Sequence, residues 1–232
     1  MIPLRDLGRG PGIAPVTALL VVVNVAVWIW TLTLAGDPAS MNAFYARWSV
    51  QPSTLFTSPA TADALMRLLT YQFVHAGWLH ITGNMLFLWV FGAAVEMTVG
   101  RIRFLTFYLL AGVFAALCHG LYQLAVGESG DLVGASGAIS GVLGAYIVLA
   151  PMARVRALVP LGLFMTPMNI PAVLLLGEWL VLQVLSAFNV LGLGYSGSRV
   201  AYFAHLGGFL AGFAVFGLAK VARRLSRVPA QS

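Results

Sequence analysis

The stretch Gly134-Ala135-Ser136-Gly137 decides how this chain is read. It follows an acidic loop carrying Glu128 and Asp131 and opens an apolar helix that runs to Pro151. A serine flanked by glycines at a helix entrance is a candidate nucleophile. Gly134, Ala135 and Gly137 let a substrate backbone come close, and the unpaired N–H groups of the first turn can receive a developing negative charge. Small residues also pack membrane helices against one another, so the motif alone has a purely structural reading. The surroundings have to separate the two.

Working outward, composition sets the solvent. Of 232 residues, 60% are hydrophobic and 9% charged, and the mean hydropathy is +0.91. A soluble domain of this length cannot cover so much apolar surface, so the chain is read as an integral membrane protein. The lipid bilayer is its first partner. The net charge of +6 comes from basic residues at segment ends, which argues for topology signals and against a nucleic-acid surface. The single cysteine, Cys118, excludes an intramolecular disulfide and a cysteine-built metal site.

The hydropathy pattern predicts an all-α membrane protein, a bundle of six transmembrane helices: 14–35, then roughly 78–98, 102–123, 135–150, 168–189 and 200–219. Residues 1–13 read as a short cytoplasmic lead, 14–220 as the membrane domain and 221–232 as a basic cytoplasmic tail. The first apolar run is too long for a signal peptide and is read as retained. Residues 36–77 form a long connection with Leu65, Leu68, Leu69 and Phe73 at helical spacing, placing it on or in the interface. Along an alternating path, Arg5, Arg9, Arg101, Arg103, Arg154, Arg156, Lys220, Arg223, Arg224 and Arg227 fall on one side, and Arg47, Arg67 and Arg199 on the other. The positive-inside rule then puts both termini in the cytoplasm.

That topology puts the polar residues at one depth. His80 and Asn84 lie near the start of the second span, Ser136 opens the fourth and His205 is early in the sixth, so all four sit in the outer half of the membrane, where polar side chains mark a site. Gly137, Gly141 and Ala145 line one helix, and Ala201, Ala204, Gly208 and Gly212 the other, which permits close approach. Packed together, these helices bring the His205 imidazole within reach of the Ser136 hydroxyl, the arrangement a serine nucleophile needs. His80 and Asn84 share a helical face, and both can donate hydrogen bonds to an oxyanion. The fourth span, at 1.5 Å per residue, is about 22 Å long and falls short of the roughly 30 Å hydrocarbon core. The serine end is therefore expected to be recessed beneath a water-holding cavity.

In order and spacing, Phe73-Val-His75, Gly77-Trp78-Leu79-His80, Asn84-Met85, Gly92 with Glu96 and Gly100, Gly134-Ala135-Ser136-Gly137 and Ala204-His205-Leu206-Gly207-Gly208 resemble the rhomboid intramembrane serine proteases. The resemblance runs from about Trp48 to Gly212. It implies a Ser136–His205 dyad, an oxyanion site made by His80, Asn84 and the Ser136 N–H, and no cofactor or metal. It implies substrates that are membrane proteins with a transmembrane segment, a first loop over 36–77, a mobile cap over 190–199 and a fifth helix beside the substrate entrance. His75 and Glu96 are read as structural, and His119 and Cys118 as packing residues. The sequence departs from the family at Ser140, where many members carry an aromatic that supports the histidine; Ser140 is read as flooring the site, with its hydroxyl on the carbonyl four residues back. Glu178, in the fifth span, is expected to be neutral or to face the water cavity. No aspartate is placed to orient His205. A silent family member that only binds, and a transporter or metal site built from His75, His80, His119 and His205, are the competing readings. The oligomeric state is not legible.

Overall fold

The computed structural model describes residues 1–8, 12–57, 61–188 and 201–225. The elements run β1 (Ile2–Asp6), α1 (Pro15–Thr33), α2 (Pro38–Trp48), α3 (Thr54–Thr57), α4 (Ala62–Thr70), α5 (Trp78–Phe87), α6 (Ala93–Val99), α7 (Arg101–Val126), α8 (Ser136–Leu149), β2 (Arg154–Leu161), β3 (Phe164–Pro171), α9 (Ala172–Ala187) and α10 (Tyr202–Leu225). A π turn over Leu88–Gly92 joins α5 to α6 without a break, so Trp78–Val99 is one rod. The chain is mostly helical. Four helices, Pro15–Thr33, Trp78–Val99, Arg101–Val126 and Tyr202–Ala222, are long and apolar enough to cross a membrane, and two shorter apolar ones, Ser136–Leu149 and Ala172–Ala187, stand with them.

The expectation of an all-α chain needs correction. The basic lead and the segment after α8 build a three-stranded antiparallel sheet in the order β1-β2-β3, with Ile2 opposite Leu158 and Arg154 opposite Pro171. The fifth helix accordingly begins at Ala172, because residues read as its first turn are spent in β3. Val155 and Ala157 of β2 are fully buried against the helices. The sheet also gives Glu178 a neighbour: β1 brings Met1 N to within 3.3 Å of its carboxylate.

Glu96 is the tie between the first helix and the bundle. At 2% exposed, its carboxylate accepts from Val16 N (3.0 Å), Thr17 N (2.7 Å) and Thr17 Oγ1 (2.8 Å). These are first-turn donors of α1, which has no cap of its own, so a negative charge sits where the helix dipole favours it. In the connection over 36–77, Asp63 binds both Arg47 and Arg67 and fastens α2 to α4. Leu65 and Leu69 of α4 stay exposed while Leu68 is buried, an amphipathic arrangement suited to an interface.

The central packing event is between α8 and α10. A Cβ added at Gly208 would run into the Gly137 carbonyl oxygen, and one at Gly212 into that of Gly141. The same pairing repeats one turn along, so the two helices run parallel in backbone contact, which only glycine allows. Ala115 and Ala111 of α7 press on Gly137 and Gly141 from the other side, at 2.7 and 2.6 Å from an added Cβ.

Candidate active site

Close packing of α8 on α10 has a direct consequence at their N-terminal ends. His205 Nε2 lies 2.8 Å from Ser136 Oγ. Ser136 is the first residue of α8, and the helix ladder begins only with Ile139 N–H to Ala135 O at 2.9 Å. The N–H groups of Ser136, Gly137 and Ala138 therefore stand ahead of the ladder, with no partner inside the helix.

Gly134 shapes the approach to the serine. Its φ is +115°, which an L side chain rarely adopts, and an added Cβ would sit 2.6 Å from His80 Nε2 and 3.6 Å from Asn84 Nδ2. The glycine is required twice, by its backbone and by its neighbours. Its N–H is fixed to Tyr71 O at 2.9 Å, and the Tyr71 hydroxyl in turn donates to Gly112 O at 2.7 Å. The loop is further pinned by Val50 and Leu132, which exchange two backbone hydrogen bonds at 3.2 and 2.7 Å.

His80 and Asn84 thus converge on the backbone just before Ser136. The Ala76 N–H points to His80 Nδ1 at 3.4 Å, so that nitrogen is the acceptor and the ring proton belongs on Nε2, the atom facing Gly134. Asn84 is 8% exposed and its Nδ2 has no partner among the described residues. His80 Nε2 and Asn84 Nδ2 are thus aimed at one place, and the buried Asn84 donor, unpartnered among the described residues, would be costly unless something negative or polar is received there.

The neighbouring residues take supporting positions. His75 is fully buried with its ring 5.0 Å from that of His80, and among the described residues neither ring nitrogen meets a hydrogen-bond partner. Burial, with the His80 ring beside it, holds the His75 imidazole down to about 3, so it is neutral at physiological pH. Ser140 Oγ donates to Ser136 O at 2.6 Å, directed back along its own helix. Cys118 packs on Gly207, and His119 stacks on Tyr122 with ring centroids 6.0 Å apart. The expected cap at 190–199 lies outside the described residues. A cavity of about 240 Å³, lined by Asp6, Tyr146, Ala150 and Ala153, sits at the far end of α8, away from Ser136.

Two residues that sequence reasoning passed over stand beside His205. Trp179 of α9 has its ring centroid 6.2 Å from the imidazole, and Gln183 Oε1 lies 2.7 Å from His205 Nδ1. The signal available was an amide on a helix whose other polar residues are Glu178 and Ser186, which at membrane depth implies a partner.

A multi-pass membrane bundle with a serine and a histidine in contact at the start of two glycine-packed helices is the class this geometry defines. A family model described as the rhomboid domain matches residues 62–220. The chain belongs to the rhomboid family. It is 29% identical over 206 residues to the mitochondrial presenilin-associated rhomboid-like protein A of Danio rerio, covering 88% of this chain and 48% of that protein. It is 33% identical over 157 residues to the rhomboid protease GluP of Bacillus subtilis (66% and 26% covered). To the mitochondrial presenilin-associated rhomboid-like protein of Homo sapiens it is 31% identical over 159 residues (68% and 39%). The chain thus spans about half or less of the length of the curated relatives it matches.

Proposed function

We propose that this protein is an intramembrane serine endopeptidase that cleaves membrane-protein substrates within or beside a transmembrane segment, near the outer face, without a cofactor. The observation that carries the reading is the 2.8 Å contact between Ser136 Oγ and His205 Nε2, set beside the unpaired Asn84 Nδ2 and the His80 Nε2 that faces Gly134. Family membership and a relative named a protease support it.

On this reading His205 Nε2 takes the Ser136 proton as Oγ attacks the scissile carbonyl carbon. The carbonyl oxygen becomes an oxyanion received by His80 Nε2–H, Asn84 Nδ2–H and the Ser136 N–H. His205 then gives its proton to the departing amine and the acyl-enzyme forms. A water molecule, deprotonated by His205, attacks the ester and restores Ser136. Gly134, Ala135 and Gly137 leave room for the substrate backbone. In the bilayer we take all six apolar helices as spanning, with both termini on the cytoplasmic side of a cell membrane and the site opening away from it. Arg154 and Arg156 follow the end of α8 remote from Ser136, and Lys220 donates to Val148 O there at 2.9 Å, which supports that orientation. Several relatives are named as mitochondrial, which makes the membrane a matter for direct test.

A silent binding member of the family would be expected to lack one of the two residues in contact. For a metal-dependent transporter, no three His, Cys, Asp or Glu side chains converge among the described residues. The test is cleavage of a labelled single-span substrate by the purified protein. Ser136→Ala and His205→Ala should each abolish it with little change in thermal stability, and full activity in either variant would overturn the proposal.

A further inference from the structure

His205 is held at both ring nitrogens. Nε2 meets Ser136 Oγ at 2.8 Å and Nδ1 meets Gln183 Oε1 at 2.7 Å. A neutral imidazole carries one ring proton, so Nε2 can accept from the serine only while that proton sits on Nδ1. Nδ1–H then requires an acceptor, because a buried donor left without one costs free energy. Among the described residues, Gln183 fills that position.

Gln183 is placed there by its helix. In Ala172–Ala187 the sequence AVLLLGEWLVLQVLSA is apolar apart from Glu178, Gln183 and a terminal serine. Glu178 has Met1 N within 3.3 Å. Trp179 and Gln183 are four residues apart, on one face, and both meet His205, one through its ring and the other through its amide. A lone amide on a helix of this composition costs free energy unless it is bonded, and this one is bonded to the base of the proposed reaction.

We infer that Gln183 is a positioning residue, the third member of a Ser136–His205–Gln183 relay, which holds the imidazole in the tautomer able to accept the serine proton. This rests on the protease reading above. The relay spans three helices that are not equally fixed. Ser136 and His205 ride on α8 and α10, locked in backbone contact, whereas Gln183 arrives on α9, whose Val181, Leu182 and Val184 remain exposed. Displacement of α9 would leave the serine beside the histidine but release Nδ1, so competence of the base is tied to where α9 stands.

A glutamine does this less selectively than a carboxylate. With its amide rotated, the NH₂ group donates to Nδ1, the ring proton moves to Nε2 and the base is lost. A glutamate accepts only, and so admits the productive tautomer alone. The side chains Leu, Gln and Glu are close in size, which isolates this difference.

The experiment uses the full-length protein and measures kcat and KM on a labelled single-span substrate together with the rate at which a fluorophosphonate labels Ser136. It is run at about pH 8.5, where an imidazole beside a carboxylate is still neutral. Gln183→Leu should lower both kcat and the labelling rate by roughly 10- to 150-fold, the range spanned by one hydrogen bond to a charged group. KM should stay within about twofold, and Gln183→Glu should restore kcat to the wild-type level or above. Gln183→Met serves in place of leucine if the latter lowers thermal stability. Wild-type labelling kinetics in the leucine or methionine variant, or a glutamate variant as impaired as leucine, would overturn the role of Gln183. Failure of the wild-type protein to label at Ser136 would instead overturn the protease reading on which it rests.

Discussion

Gly208→Ala is the sharpest structural perturbation available, because it leaves every chemical group of the site intact. The added Cβ lands on the Gly137 carbonyl oxygen, far inside contact distance. Non-bonded heavy atoms settle at about 3.5–4.0 Å, so α8 and α10 must part by roughly 1 Å or slide along one another. Either movement carries the Ser136–His205 pair from 2.8 Å toward about 3.8 Å, past the reach of a useful hydrogen bond. A displacement of 1 Å at reacting groups costs on the order of 100-fold in rate, and overpacking of this kind costs about 1–3 kcal/mol of stability. Gly217→Ala on the same helix is the control, since no atom of the described residues lies within 4 Å of its added Cβ. The assay is kcat on a labelled single-span substrate with thermal unfolding in parallel. Gly208→Ala retaining kcat within about threefold and an unchanged melting temperature would refute the claim that glycine contact sets the serine–histidine distance.

Three further outcomes follow from the same geometry. His80→Ala and Asn84→Ala should each lower kcat by roughly 100- to 1,000-fold, with the smaller effect on KM, as loss of one oxyanion donor does; an effect confined to KM would make them substrate-positioning residues. Glu96→Gln should lower thermal stability by about 2–4 kcal/mol by removing the charge that three α1 donors share, read by thermal unfolding, with activity per folded molecule little changed. His75, neutral when folded with its imidazole held near 3, takes up a proton on unfolding as pH falls below about 6.5. Stability contributed by this group is therefore lost on acidification, by about 2 kcal/mol at pH 5, and His75→Gln should flatten the dependence of melting temperature on pH over that window.

Much of the site could be read from spacing because its geometry is local. Small residues four apart on two helices dictate a close parallel approach, and a serine and a histidine near the starts of those helices are carried together by it. His80 and Asn84 share a face because they stand four residues apart within α5, ahead of the π turn. The sheet was not legible: Ile2–Asp6 and Arg154–Leu161 are far apart in sequence, and β2 and β3 carry Pro160 and Pro167, which read as loop. Its consequence for Glu178 was hidden for the same reason, since Met1 lies 177 residues away in sequence. Gln183 was visible as a polar residue in an apolar helix, but which neighbour it meets depends on the rotation of α9, set by packing and not by any local pattern. The search for an aspartate looked for a charge, where the protein presents a neutral amide.

The central claim is that Ser136, and not Ser140 one turn below it, is the nucleophile. Ser140 Oγ is committed to the Ser136 carbonyl at 2.6 Å, whereas Ser136 Oγ faces His205 Nε2 at 2.8 Å. Treating the protein in membranes with a fluorophosphonate and mapping the adduct by mass spectrometry tests this directly. The account predicts a single adduct on Ser136, present in Ser140→Ala and absent in His205→Ala; an adduct on Ser140, or undiminished labelling without His205, would contradict it.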